Sequence, residues 1–219
     1  MCDTDTDVTY KFCDLSEKAK DRARDEYRGG DYPGYDWWDT TYEDAVRMGA
    51  LMGINISTST RTTAKGKEYE ETDISFSGFS CQGDGASFEG YYRIVPDAVQ
   101  KVTSETNDKK LIRIAQELTL LQITRRLQNL EPFSATIKTS GNYCHSGTMN
   151  VMVNSEDEND EHSQVDDDLE DDVTQLMRDF ANWVYDQLEA EYDYLTSDEY
   201  VDERLTESDD EFDEDGSTI

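Results

Sequence analysis

Histidine is almost missing from this sequence, with two residues, and proline nearly so, with three; the 20 Lys+Arg are outnumbered by 51 Asp+Glu. Each shortage excludes something. The four cysteines (Cys2, Cys13, Cys81, Cys144) are scattered and lack C-x-x-C spacing, so neither a zinc site nor a disulfide framework is expected and the thiols read as reduced. No stretch approaches the roughly 20 apolar residues that span a bilayer. Met1 to Asp7 is polar and acidic, the reverse of a signal peptide, which predicts that the protein stays in the compartment where it is made. The bases are dispersed, with no stripe and no phosphate-cradling loop, so direct nucleic-acid binding is not expected. No cofactor and no metal are expected either. Asp157-Glu158-Asn159-Asp160-Glu161 is rich in oxygen ligands but lacks the spaced order of a calcium-binding EF-hand.

What is abundant is negative charge, and it is unevenly placed. The net charge is −31 at pH 7; residues 1–153 hold 24 Asp+Glu against 18 Lys+Arg, whereas residues 154–219 hold 27 against only Arg178 and Arg204. Salt adaptation would spread acid everywhere, so this asymmetry points instead to a local anionic surface. Glu156 to Asp172 carries eleven carboxylates in seventeen residues, and its first half is expected to be a flexible loop. From Val173 the pattern changes: Val173, Leu176, Met177, Phe180, Val184 and Leu188 recur at helical spacing. Glu170, Asp171 and Asp172 precede that stripe, where the helix dipole favours anions. The expected organisation is an α+β core over 1–153, an acidic flexible loop over 154–172, an acidic helical segment over 173–205 packed on the core, and a frayed acidic tail over 206–219.

Capping-box patterns at Asp14-Leu15-Ser16-Glu17 and Thr40-Thr41-Tyr42-Glu43 open two helices in the first part of the chain. Gly29-Gly30 and Gly53 close them, and Ile54-Asn55-Ile56 starts a strand. Two hairpins follow, one turning through Cys81-Gln82-Gly83-Asp84-Gly85 and one between Gly141 and Gly147. Between them a helix from about Lys109 to Leu130 is expected to bury Leu111, Ile114, Ala115, Leu118, Leu121 and Leu127. The fold class is therefore α+β: an antiparallel sheet of four to five strands, built from two main hairpins, with packed helices and a strongly acidic C-terminal helix.

Three groups of residues could carry function. Cys144 beside His145 in one hairpin loop, with Cys81 and Asp84 in the other, has the makings of an activated-thiol site if the loops meet; otherwise these residues make turns and fill space. The aromatic cluster Tyr32, Tyr35, Trp37 and Trp38 reads as a binding platform or, more simply, as a loop anchored by its rings. The third group is the acidic row Asp166, Asp167, Asp168, Glu170, Asp171, Asp172, Asp179, Asp186, Glu189 and Asp193, which would face a basic partner, or else serve only as a solvated surface.

Several stretches taken together resemble a family of small acidic proteins of tailed bacteriophages, some described as antitoxin-like. They are Asp36-Trp37-Trp38-Asp39 with Tyr42-Glu43-Asp44, Phe76-Ser77-Gly78-Phe79, Gln82-Gly83-Asp84-Gly85-Ala86-Ser87-Phe88-Glu89-Gly90, Asn142-Tyr143-Cys144-His145-Ser146-Gly147, and Glu191 to Glu199. The acidic segment 154–172 departs from that pattern as an elaboration. The resemblance implies a phage protein acting in the cytoplasm of a bacterial host. From its charge density, the acidic row is expected to inhibit a basic host protein, such as a nucleic-acid enzyme of defence or restriction, by polyanion mimicry. One alternative is a small hydrolase or transferase built on the two loops; another is an antitoxin-like binder of a basic toxin.

Overall fold

A computed structural model describes residues 8–30, 33–34, 36–63, 65–141, 143–155 and 165–219. The chain divides into two compact units: residues 39–188, and residues 1–38 with 189–219.

The larger unit is α+β. Helix α2 (Asp39–Met52) ends at Gly53 and leads into β1 (Ile54–Ile56). The antiparallel pair β2 (Thr58–Thr62) and β3 (Glu68–Thr72) is a hairpin absent from the sequence reading. Its strands, TSTRT and EYEET, are polar on both faces and give no alternating signal. Next come β4 (Ile74–Phe76), β5 (Ala86–Phe88) and β6 (Gly90–Tyr92). The expected first hairpin is real over β4 and β5, but at Glu89 the chain changes sheets: β6 pairs with β1 and with β7 (Phe133–Thr139). With β8 (Met149–Ser155) these form a four-stranded antiparallel sheet ordered β1-β6-β7-β8. Alternation sets its buried face. Phe133, Ala135 and Ile137 of β7 and Met149, Val151 and Val153 of β8 point inward, and the register pairs Ala135 with Val153 and Ile137 with Val151.

Helices α3 (Ala98–Glu105), α4 (Lys109–Leu127) and α5 (Asp167–Leu195) complete this unit, α5 contributing its residues up to Leu188. Phe88 of β5 meets Phe180 of α5 edge to face at 5.5 Å. Asp108 ties α4 to α5: its Oδ1 accepts from Lys110 N (2.7 Å) and Leu111 N (3.2 Å), capping α4, and its Oδ2 accepts from Trp183 Nε1 (2.9 Å). Glu89, at the sheet change, accepts from Lys138 Nζ (2.7 Å) and Thr139 Oγ1 (2.7 Å). The Lys138 bond, then those of Thr139, hold its carboxyl below the usual glutamate range. A folded-state pKa depressed in this way gives stability that is complete above the ordinary value of about 4.3 and is lost as pH falls through the folded one. Glu89→Gln should therefore show a weaker decline in denaturant midpoint than the parent between about pH 5 and 3. Identical slopes would mean that the Lys138 contact contributes nothing.

The smaller unit is built from the two ends of the sequence. Helix α1 (Glu17–Gly29) is capped by Ser16, which accepts from Ala19 N, and α6 (Asp198–Glu207) by Ser197, which accepts from Tyr200 N. Phe12, Leu15, Ala19, Ala23, Val201, Leu205 and Phe212 form its core. The expected frayed tail is folded here. Tyr10 and Phe212 exchange both backbone hydrogen bonds at 2.9 Å, and Phe212 bridges on to Thr218. Gly216, at φ 90°, lies so close to Ala19 that a Cβ would stand 2.0 Å from its carbonyl oxygen. Bases on or near α1 hold the acidic segment. Arg24 pairs with Asp202 through Nε (2.5 Å) and Nη2 (2.7 Å), Arg28 with Asp198, and Arg22 with Asp215. Lys11 donates to the Asp209 carbonyl at 2.9 Å. Residues 206–219 look like tail in the sequence because their charge hides one buried ring.

The domain boundaries also differ from expectation. Residues 1–38 join 189–219 rather than a 1–153 core, and α5 begins at Asp167 rather than Val173, its first turn made of the carboxylates that the dipole accommodates. Of the expected flexible loop over 154–172, residues 156–164 lie outside the described residues and 167–172 are helical.

Candidate functional site

The two hairpin loops do approach each other. A Cβ built on Gly85 would lie 2.7 Å from His145 Cβ and 3.1 Å from its Cα, so a glycine is needed for the loops to touch. The polar groups there nevertheless turn inward on their own segments. Asp84 Oδ2 accepts from Ser80 N (2.9 Å) and Cys81 N (2.7 Å), and those two bonds, Cys81 first, hold its carboxyl below the usual aspartate range. His145 Nδ1 accepts from Gly147 N at 3.1 Å, which places the neutral ring's proton on Nε2. Asp84 thus serves as a turn cap, and the nitrogen an orienting acid would need is taken by the backbone. Cys144 is half-buried and Cys81 exposed, both as free thiols. The phenol of Tyr42 donates to the Ile74 carbonyl at 3.3 Å; burial pushes its pKa well up, with the Glu71 and Cys144 charges adding to that. The loops therefore meet without assembling Cys144, His145 and Asp84 into a nucleophile, base and orienting acid.

The aromatic cluster is partly visible. Trp37 packs on Trp38 (5.8 Å) and on Tyr192 (5.6 Å), so these rings anchor the segment within the smaller unit; Tyr32 and Tyr35 lie outside the described residues.

The acidic row resolves into three kinds of position. Asp166, Asp167, Asp168, Glu170, Asp171 and Asp172 are all exposed, crowded onto the start of α5, with Asp166 Oδ1 accepting from Leu169 N at 2.7 Å as the cap. Asp179 and Asp186 belong elsewhere. Asp179 pairs with Arg113 and accepts from Gln175 Nε2 (2.8 Å), and Asp186 pairs with Lys110. Both fasten α5 to α4, so the expectation that they face a partner is corrected: their angular position is half-buried beside a basic neighbour. Asp193 is exposed and Glu189 half-buried, and both fall in the smaller unit. Among the described residues no group of three or more His, Cys, Asp or Glu side chains is arranged to hold a metal ion, and no helix is long and apolar enough to cross a membrane.

The acidic surface goes beyond α5. The smaller unit's sequence holds 24 Asp+Glu against 7 Lys+Arg, the denser share of the charge. Residues 37–198 match the family described as Domain of unknown function (DUF8835), and the chain belongs to that family. The match takes in both hairpin loops and the acidic start of α5 and leaves out α1 and the Phe212 segment. No curated protein and no solved structure matches the chain.

Proposed function

We propose that this protein is an acidic interaction protein that occupies the basic nucleic-acid groove of another protein, in keeping with its resemblance to bacteriophage proteins that act in a host cytoplasm. The observation that supports this reading is the block of six exposed carboxylates over Asp166–Asp172, on the cap and first turns of a helix and with no salt bridge to a base among the described residues. A helix rises 1.5 Å per residue, and duplex DNA presents one charge per about 1.7 Å of axis, so the block offers a comparable charge density on a rigid support. The helix N-terminus contributes only about half a positive charge against it. Association would be electrostatically steered and salt-sensitive. An antitoxin-like role shares this chemistry and differs only in the partner. The hydrolase reading gains no support from the loop geometry.

The test is a tagged pull-down from nuclease-treated bacterial lysate, eluted in salt steps and compared with a variant carrying Asp166→Asn, Asp167→Asn, Asp168→Asn, Glu170→Gln, Asp171→Asn and Asp172→Asn. Asparagine at 166 keeps a capping oxygen, so α5 should still form. The expected result is one nucleic-acid enzyme that leaves at a defined salt step, is inhibited when bound, and binds the variant about a hundredfold more weakly, or about 2.7 kcal/mol. A spread of unrelated basic proteins, or equal capture by the variant, would sink the reading.

A further inference from the structure

One apolar face of α4 is uncovered. Its buried stripe is Leu111, Ile114, Ala115, Leu118, Gln122 and Arg125. On another side Gln116, Leu120, Ile123 and Leu127 follow at intervals of four and three, the alternating a and d spacing of a helix-pairing seam, and Leu130 comes in the turn beyond the helix, after Asn129 at φ 59°. Leu120 is 61% exposed, Ile123 49%, Leu127 79% and Leu130 39%. Beside the seam opens a cavity of about 920 Å³, walled by Met52, Tyr92, Ile94, Leu118, Ile123 and Leu130 among others. Apolar patches of this kind mark interaction surfaces.

The shape and charge of this face say what fits it. Leu127 stands out from the helix and takes no part in the cavity wall, so a knob and a hollow lie side by side on one surface. Such a face complements itself: in a two-fold pair each copy's knob can enter the other's hollow, residue i meeting j and j meeting i. The flanks carry both signs. Arg126, near the end of α4, and Glu131, beyond it, both line the cavity, while Glu117 on the same helix is already paired with Arg113 at 3.2 Å. Asp97 also lies at the cavity. A partner of one sign would be repelled by half of this rim, whereas a second copy supplies an acid for each arginine.

We propose that the α4 face seats a second copy of this chain in a symmetric dimer. This inference does not depend on the role of the acidic block. Because each copy carries −31, long-range repulsion opposes the pairing and salt screens it, so association strengthens with ionic strength. Sedimentation of the full chain at about 0.1 M and 1 M NaCl should show the dimer fraction rising with salt. Leu127→Glu should raise the dissociation constant at least about a hundredfold while leaving the thermal melt of the monomer unchanged, since the side chain is exposed. Arg126→Glu should weaken the dimer, and adding Glu131→Arg should restore it. A monomer at every salt and at millimolar protein would overturn the proposal, and so would a dimer that Leu127→Glu leaves intact.

Discussion

Phe212→Ala is expected to destabilise the smaller unit by about 3–5 kcal/mol, the range for removing a fully buried aromatic ring. The ring sits edge-on to Phe12 at 6.2 Å within a core whose other members are small or aliphatic, Leu15, Ala19, Ala23, Val201 and Leu205. Alanine keeps the main-chain groups that bridge Phe212 to Tyr10 and Thr218, so the loss is one of side-chain packing. Denaturant melts give the magnitude, and hydrogen exchange over Glu17–Gly29 and Asp198–Glu207 locates it. A change under about 0.5 kcal/mol, the usual size for a surface substitution, would mean that the acidic segment is not packed as described.

Gln122→Leu should cost about 2–6 kcal/mol although it makes the core more apolar. Gln122 is buried on α4, where its Nε2 donates to the Phe133 carbonyl (2.8 Å) and its Oε1 accepts from Phe133 N (3.2 Å). One side chain thus satisfies both main-chain groups at the start of β7, and Nε2 also reaches Tyr92 Oη at 3.4 Å. Leucine fills similar space but leaves a buried donor and acceptor short of a partner, at about 1–3 kcal/mol each. Thermal and denaturant unfolding measure the loss. A neutral or stabilising outcome would show that water or a shifted loop replaces the amide.

The same residue explains why the sequence misled at α4. Apolar spacing there suggests that Leu121 and Leu127 are buried, but Leu127 is largely exposed and the inward positions at that level belong to Gln122 and Arg125. Arg125 Nε donates to the Glu131 carbonyl at 2.8 Å, so both polar residues are buried to satisfy the backbone that follows the helix. Hydrophobic periodicity cannot register a burial driven by hydrogen bonding. Where apolar residues alone decide, as in β7, β8 and the stripe from Val173 to Leu188, the reading and the structure agree. The β2–β3 hairpin and the folded Phe212 segment were hidden for the converse reason: each is held by main-chain pairing or by one ring amid charge. At the acidic row, composition named the carboxylates but could not separate exposed ones from Asp179 and Asp186, because Arg113 and Lys110 lie more than 60 residues away in sequence. The meeting of Gly85 with His145 is of the same kind, a contact between segments without any local signature.

The pairing of α1 with acids from the far end of the sequence also bears on how the protein is made. Arg28 waits for Asp198, 170 residues on, Arg24 for Asp202, 178 residues on, and Arg22 for Asp215, 193 residues on. At elongation rates of about 5–20 residues per second, that is an interval of roughly 9–39 s. During it the helix has been synthesised but lacks the Val201, Leu205 and Phe212 side chains that cover it, and its arginines have only near acids such as Asp21 and Asp25 as partners. In the nascent chain, the first helix to be made is among the last to be secured.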